Sequence, residues 1–314
     1  MSIPYEIKLE YIYNKLEQKF LKTYENAEPH VFDMNYVYTL IDEVKNMDIA
    51  NDVAGITNLK FKYLQEVYIS ESGVNDYDVP KLHDIIEHTM ECHEIDFDKL
   101  ENDKIVYMAK KCVNINTAID YIMKTNISKI SETLIIDLHK KIGKNIIPTA
   151  GTYRTIHVGP DKTSRAESLY NIPKNIEKNL RILVKFVEIK LKDIINLDDD
   201  KLKIEKIMKL STVLFSEFLL IHPFENGNGR VARLLTQCIF NHIRDFDITF
   251  EKVNNVFQIP ISLYSGTRKK YIESLEARID YIDDNKLCRN KPDYLYGYFI
   301  ECVFRHYSGL VTQY

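Results

Sequence analysis

Long segments with apolar residues at helical spacing dominate this sequence, and few helix breakers interrupt them: 10 glycines and 9 prolines stand among 314 residues. With few Asn-Gly or Asp-Gly hairpin signals as well, such a chain folds mainly as helices. The spacing predicts helices over 5–26, 34–47, 56–70, 104–124, 129–143, 174–193, 200–221, 229–242, 267–282 and 292–308. One more is expected from Pro80, a residue suited to the first turn of a helix, to about His93. Residues 151–173 (GTYRTIHVGPDKTSRAESLYNIP) break the pattern: β-branched and aromatic residues surround a Gly-Pro turn, which reads as an extended hairpin or loop.

Charge and cysteine usage narrow the setting. A net charge of −4 and a pI near 6.2, without a long Lys/Arg run, argue against a dedicated nucleic-acid or membrane-surface binder. The five cysteines are odd in number and include no CxxC pair, which favours reduced thiols over a disulfide framework. The N-terminal stretch is charged throughout, and no run reaches the roughly 18 apolar residues of a membrane span. A cytoplasmic, intracellular protein is the expectation.

One stretch carries chemistry. Ile221–Arg233 reads IHPFENGNGRVAR and follows a strongly apolar helix. Gly227 and Gly229 let backbone N–H groups turn inward, and the next helix begins there with its positive dipole end on the same cavity. Arg230 and Arg233, three apart, share one face of that helix, so amides and guanidiniums together suit a di- or triphosphate. His222 is a candidate general base beside it, because imidazole titrates near physiological pH. Glu225 and Asn226 bring oxygens of the kind that bind Mg²⁺. Alone, each has an ordinary reading: His222 as a helix-end residue, the arginines as surface ion pairs, Asn228 as a turn former. Their concentration within twelve residues favours the site.

HPFENGNGRVAR resembles the signature of the Fic family, His-x-Phe-x-(Asp/Glu)-Gly-Asn-Gly-Arg-x-x-Arg, with Asn226 in place of the acidic residue. The likeness continues in LIIDLHKKIGKNIIPTAGTYRT, SLYNIPKNIEKNLRILVKFV and TRKKYIESLEARI, so it covers roughly residues 105–306. It implies an all-α helical core with a short β-hairpin flap, preceded by an N-terminal helical region over 1–104 of recognition or regulatory role and followed by a tail at 307–314. It also implies a protein adenylyltransferase moving AMP from ATP to a Ser, Thr or Tyr hydroxyl of a target protein. His222 would deprotonate that hydroxyl and Phe224 would anchor the loop. Gly227, Asn228 and Gly229 would cradle the α- and β-phosphates, Arg230 would neutralise the leaving pyrophosphate, and Arg233 would hold the γ-phosphate. Mg²⁺ would bind from Asn226, more weakly than from a carboxylate. Thr155, Ile156 and His157 of the flap, within 151–173, would lie near the target hydroxyl and pair with its backbone by strand addition. Tyr271 would line the base pocket or pack the core.

Relatives of this kind carry an inhibitory Ser/Thr-x-x-x-Glu-Gly/Asn motif. Glu25, Glu101 and Glu225 precede an asparagine, but Leu21, Phe97 and Ile221 stand four residues before them, so the motif is missing. SESGVN, from Ser70 to Asn75, is the nearest match and has Val74 where the glutamate belongs. His83, His88, Cys92 and His93 complete no four-ligand zinc set. Competing functions are transfer of another phosphate-containing group or removal of AMP by the same site, and a nucleotide-binding scaffold whose chemistry decayed at Asn226. The 21 tyrosines leave self-modification open, and the sequence fixes neither target nor oligomeric state.

Overall fold

The computed structural model describes residues 4–19, 34–45, 103–124, 130–158, 170–244, 268–282 and 287–313, and every structural statement below concerns these. The expected helices over 56–70 and from Pro80 to about His93, with SESGVN and the His83–His93 cluster, lie outside them. So do Cys92 and residues 159–169 of the flap.

The fold is all-α. In chain order the helices are α1 (Tyr5–Lys15), α2 (Met34–Lys45), α3 (Asp103–Lys124), α4 (Glu132–Gly143), α5 (Ile176–Ile195), α6 (Asp200–Ile221), α7 (Asn228–Arg244), α8 (Arg268–Ala277) and α9 (Asp293–Gln313). A 3-10 turn, Pro173–Asn175, leads into α5, with Pro173 at a position that needs no N–H donor. Two short strands, β1 (Ile279–Ile282) and β2 (Leu287–Asn290), pair antiparallel between α8 and α9.

The α6 helix is the axis of the molecule. Asp199 caps it, accepting from the Leu202 N–H at 3.1 Å, as an acidic N-cap should. From Leu210 to Ile221 every residue is buried, the mark of a helix packed on all sides. The α5 helix buries Leu180, Leu183, Val184, Val187, Leu191 and Ile194, a stripe at intervals of three and four, against it. Across α6 lies α7, with Val231, Leu234, Leu235, Cys238 and Ile239 inward. On the scale of about 1.5–3 kcal/mol per fully buried large aliphatic side chain, these stripes hold the loop between α6 and α7 firmly at both ends.

Buried residues of α1 and α2 (Leu9, Ile12, Tyr13, Val37, Tyr38 and Leu40) belong to the same core cluster. The α1 helix is also fixed by polar contacts. Glu217 of α6, 1 % exposed, accepts from the Tyr5 hydroxyl at 2.8 Å and pairs with Lys8 at 3.4 Å. Asn290 of β2 donates to the same carboxylate at 2.6 Å and accepts from the Ser216 hydroxyl at 2.9 Å. Burial raises the Tyr5 hydroxyl well above its ordinary pKa, with Glu217's charge adding, so the phenol stays a donor.

Two expectations need correction. The first helix ends at Lys15 rather than near residue 26, and Leu16 turns extended. The backbone N–H groups of Glu17 and Lys19 bind the side chain and carbonyl of Asp293, so tertiary pairing at the start of α9 outcompetes further helix. The predicted 267–282 helix stops at Ala277. The Arg278 carbonyl accepts from Lys291 N–H at 2.7 Å, and Ile279–Ile282 joins β2 as a strand. β-branched and aromatic residues in IDYI favour that outcome. The described parts of the expected flap, 151–158 and 170–172, contain no strand.

Candidate active site

The loop between α6 and α7 is built by its backbone. His222 ends α6 in the left-handed region at φ 49°, ψ 61°, and its N–H closes on Phe218 O at 2.9 Å. This turns the chain off the helix axis, a conformation that costs a non-glycine residue energy and persists only where neighbours enforce it. Arg154 enforces it. Its guanidinium, 3 % exposed, donates to the carbonyls of His222 (2.6 Å), Ile156 (2.8 Å), Asn171 and Ile221 (3.4 Å). Its own N–H donates to Pro223 O at 2.9 Å, and Asn171 N–H donates to Leu220 O at 3.1 Å. A planar five-donor fork is the side chain that can gather several carbonyls at once. Both ends of the 151–173 segment are thereby tied to the last turn of α6.

Asn228 braces the rest of the loop. Its Oδ1 accepts from Phe224 N–H at 3.0 Å and its Nδ2 donates to Phe224 O at 2.7 Å. The side chain is therefore committed to the protein, which leaves the main-chain N–H of Asn228 as the group at this position open to a ligand. Phe224 is fully buried and stacks on His139 of α4, ring centroids 3.6 Å apart. Gly227 has φ 81°, and a Cβ there would stand 3.2 Å from Ile147 and 3.3 Å from Ile142. Only glycine meets both conditions. Gly229 is different: a Cβ would meet Arg233 Nη1 at an ordinary 3.5 Å, so Arg233 folds back over the first turn of α7. In that turn the N–H groups of Asn228, Gly229 and Arg230 have no partners within the helix, and they form a positive end.

The imidazole chemistry is set by hydrogen bonds. His222 Nδ1 lies 3.2 Å from Leu219 O, and a carbonyl only accepts, so the proton sits on Nδ1 and Nε2 keeps its lone pair. Burial lowers His222 to about 4, and the charges of Arg154 and Arg278 push the same way, against the Leu219 hydrogen bond. At neutral pH it is an uncharged acceptor. The Tyr170 ring stacks on it, centroids 3.9 Å apart and 19° between planes.

His139 is the mirror case. Gly151 N–H donates to its Nδ1 at 2.8 Å, so Nε2 carries the proton and donates to Asn226 O at 3.0 Å. Burial lowers it to about 4, with Arg230 adding to the fall. Arg230 itself is buried, and that burial pulls its guanidinium below the ordinary value.

Asn226 and Glu225 are exposed at the loop's tip. Asn226 Oδ1 accepts from Gly227 N–H at 2.7 Å, and Glu225 accepts from the Thr149 hydroxyl at 3.3 Å. Thr155, Ile156 and His157 are exposed beside the loop, whereas Tyr271 packs in the core near Phe215 and Tyr298. Among the described residues no group of three or more His, Cys, Asp or Glu side chains could hold a metal by itself. Sequence reasoning missed His139, Arg154 and Tyr170. His139 left a signal as a polar ring on the apolar stripe Ile135, Leu138, Ile142, and Arg154 and Tyr170 stand in the stretches that resemble the family, though no role was read for them.

Residues 129–240 match the family model of the Fic/DOC family. Among solved structures, Fic-1 from C. elegans is 16 % identical with a TM-score of 0.61, over 93 % of this chain and 76 % of that one. A Fic-domain-containing signalling protein from Bacteroides thetaiotaomicron is 14 % identical with a TM-score of 0.61, over 88 % and 94 %. A Fic family protein from Desulfovibrio desulfuricans G20 is 12 % identical with a TM-score of 0.55, over 100 % and 76 %. At such identities the likeness is one of fold. No curated protein matches the chain. No described helix is long and apolar enough to cross a membrane.

Proposed function

We propose that this protein transfers AMP from ATP to a hydroxyl of a protein substrate: residues 129–240 match the model of the Fic/DOC family, which transfers phosphate-containing groups and often AMP. The observation that carries the reading is the state of His222: neutral, its proton held on Nδ1 by Leu219 O, its Nε2 left as acceptor. A binding module needs no such base.

The step balances as follows. Nε2 of His222 accepts the proton of a Ser, Thr or Tyr hydroxyl while that oxygen bonds to the α-phosphorus of ATP. The bond from α-phosphorus to the bridging oxygen breaks, and pyrophosphate leaves with the electron pair. The first-turn N–H groups of Asn228, Gly229 and Arg230 bind phosphate oxygens, Arg230 offsets charge on the leaving group, and Arg233 holds its far end. Pre-positioning is the larger part of such catalysis, and it explains why Arg154, Asn228 and His139 fix the loop so completely. The Ile156 carbonyl is bound to Arg154. Thr155, Ile156 and His157 are exposed beside the loop, which leaves that stretch open to a target segment.

Mg²⁺ fits the tip of the loop as a weakly held ion. Asn226 is exposed and its amide oxygen, a hard neutral donor, has a second lone pair beyond the one that meets Gly227 N–H. Bound there with substrate phosphates, the ion would supply charge neutralisation.

Intact-protein mass spectrometry after incubation with ATP, Mg²⁺ and cell lysate tests the proposal. An AMP adduct on this protein or on a lysate protein, absent with His222→Ala, supports it. An adduct appearing only with another donor would replace AMP by that group. Nucleotide binding without any adduct would favour a binding scaffold.

A further inference from the structure

The 151–173 segment returns to α6 through Tyr170 and Asn171, and the two adjacent residues do different things there. Asn171 is held through its backbone, by Leu220 O and Arg154. Tyr170 uses its side chain: its ring lies parallel to the His222 imidazole at 3.9 Å, close enough to cover one whole face. A half-buried tyrosine has little reason to lie flat on that ring unless the pairing itself is selected, since an aromatic stack contributes about 0.5–1.5 kcal/mol beyond burial.

We propose that Tyr170 is a positioning residue for the His222 base: its ring locks the imidazole in the rotamer that gives Nδ1–H to Leu219 O, and shields that face from water. The inference rests on the proposed role of His222 as base but has consequences that do not require turnover. An imidazole fixed on one face by Tyr170 and on one edge by Leu219 O cannot rotate, so Nε2 has a single direction. The same cover contributes to the burial that keeps the ring neutral. The cations facing it, Arg154 from the flap root and Arg278 from the end of α8, act in the same sense, and both stay when Tyr170 is removed.

The test compares wild type, Tyr170→Phe, Tyr170→Leu and Tyr170→Ala in the full chain. Nitrogen-15 NMR of the nine histidines, with the His222 signal identified by its loss in His222→Ala, reads tautomer and titration directly. Wild type and Tyr170→Phe should show one tautomer, protonated at Nδ1, and a midpoint near 4. Tyr170→Ala, or Tyr170→Leu if the alanine variant does not fold, should show mixed tautomers and a midpoint moved toward the ordinary 6.5. In the transfer assay those two variants should lower kcat by tenfold or more at unchanged KM for ATP, on the scale of a misplaced general base (about 10²–10⁴-fold for full loss). An unchanged His222 tautomer and midpoint in folded Tyr170→Ala or Tyr170→Leu overturns the proposal. Altered imidazole behaviour in a protein that transfers nothing would retain it and reject the AMP-transfer reading instead.

Discussion

Arg154 Nε donates to the main-chain oxygen of His222 at 2.6 Å, and this bond joins the 151–158 segment to the end of α6. Arg154 is an uncommon buried cation, because its partners are carbonyl dipoles from three chain segments and not a carboxylate. Replacing it by methionine strands those carbonyls, and we expect a loss on the order of 3 kcal/mol in urea unfolding. Lysine should not rescue it, since a point charge cannot span the carbonyls. A lysine variant as stable as wild type would refute this account.

Asn228 offers a finer probe. Asn228→Asp keeps the acceptor for Phe224 N–H but sets a carboxylate oxygen against Phe224 O, where the native amide donates at 2.7 Å. About 1–3 kcal/mol of stability should disappear, and nucleotide affinity should fall with it. Thermal unfolding with and without ATP separates the two. Loss of affinity with no loss of stability would mean that the side chain itself touches phosphate.

The two imidazoles give a pH signature. His139 and His222 are both lowered from 6.5 to about 4. The unfolded chain therefore takes up protons below about 6.5 that the folded chain refuses until about 4. Their contribution is fully present above 6.5 and drains away as pH falls through that window. Denaturation midpoints measured from pH 8 to pH 4 should be level at first and then decline. His222→Ala should make the decline shallower; an equal slope in both proteins would count against a neutral buried His222.

The Mg²⁺ site proposed at Asn226 makes a charge prediction. Asn226→Asp adds the charge that a neutral amide lacks, and half-saturating Mg²⁺ for nucleotide binding should drop by roughly tenfold, about 1.4 kcal/mol. Chelator should weaken ATP binding less in wild type than in the variant. Calorimetric titration of ATP at fixed Mg²⁺ concentrations reads this without relying on turnover.

The helical skeleton was legible because α4 and α5 bury stripes that a 3.6-residue period exposes to view, α6 reads as a long apolar run, and Ser131 and Asp199 mark two of the starts. The loop stood out in the sequence because Gly227 and the phased arginines are chemically unusual together, and the structure places it between α6 and α7. The scaffold behind it was not. Arg154 acts on main-chain oxygens, which are the same at every residue, and Tyr170 and His222 lie 52 positions apart with nothing in either to announce the other. The two misjudged boundaries share that cause: Asp293 and Lys291 reach back across the fold to end α1 and redirect residues 279–282.

Glu217 bears on where this protein can be cut. Five positions before His222, it is held by Tyr5, Lys8 and Asn290, all outside the 129–240 span that matches the family model. Excising that span would leave a carboxylate sealed in the middle of α6 with none of those three partners, at a cost of several kcal/mol in the very helix that ends at His222. The start of α1 and the hairpin before α9 thus brace the helix that carries the proposed site, and a fragment cut at the bounds of the family match should be less stable than the whole chain.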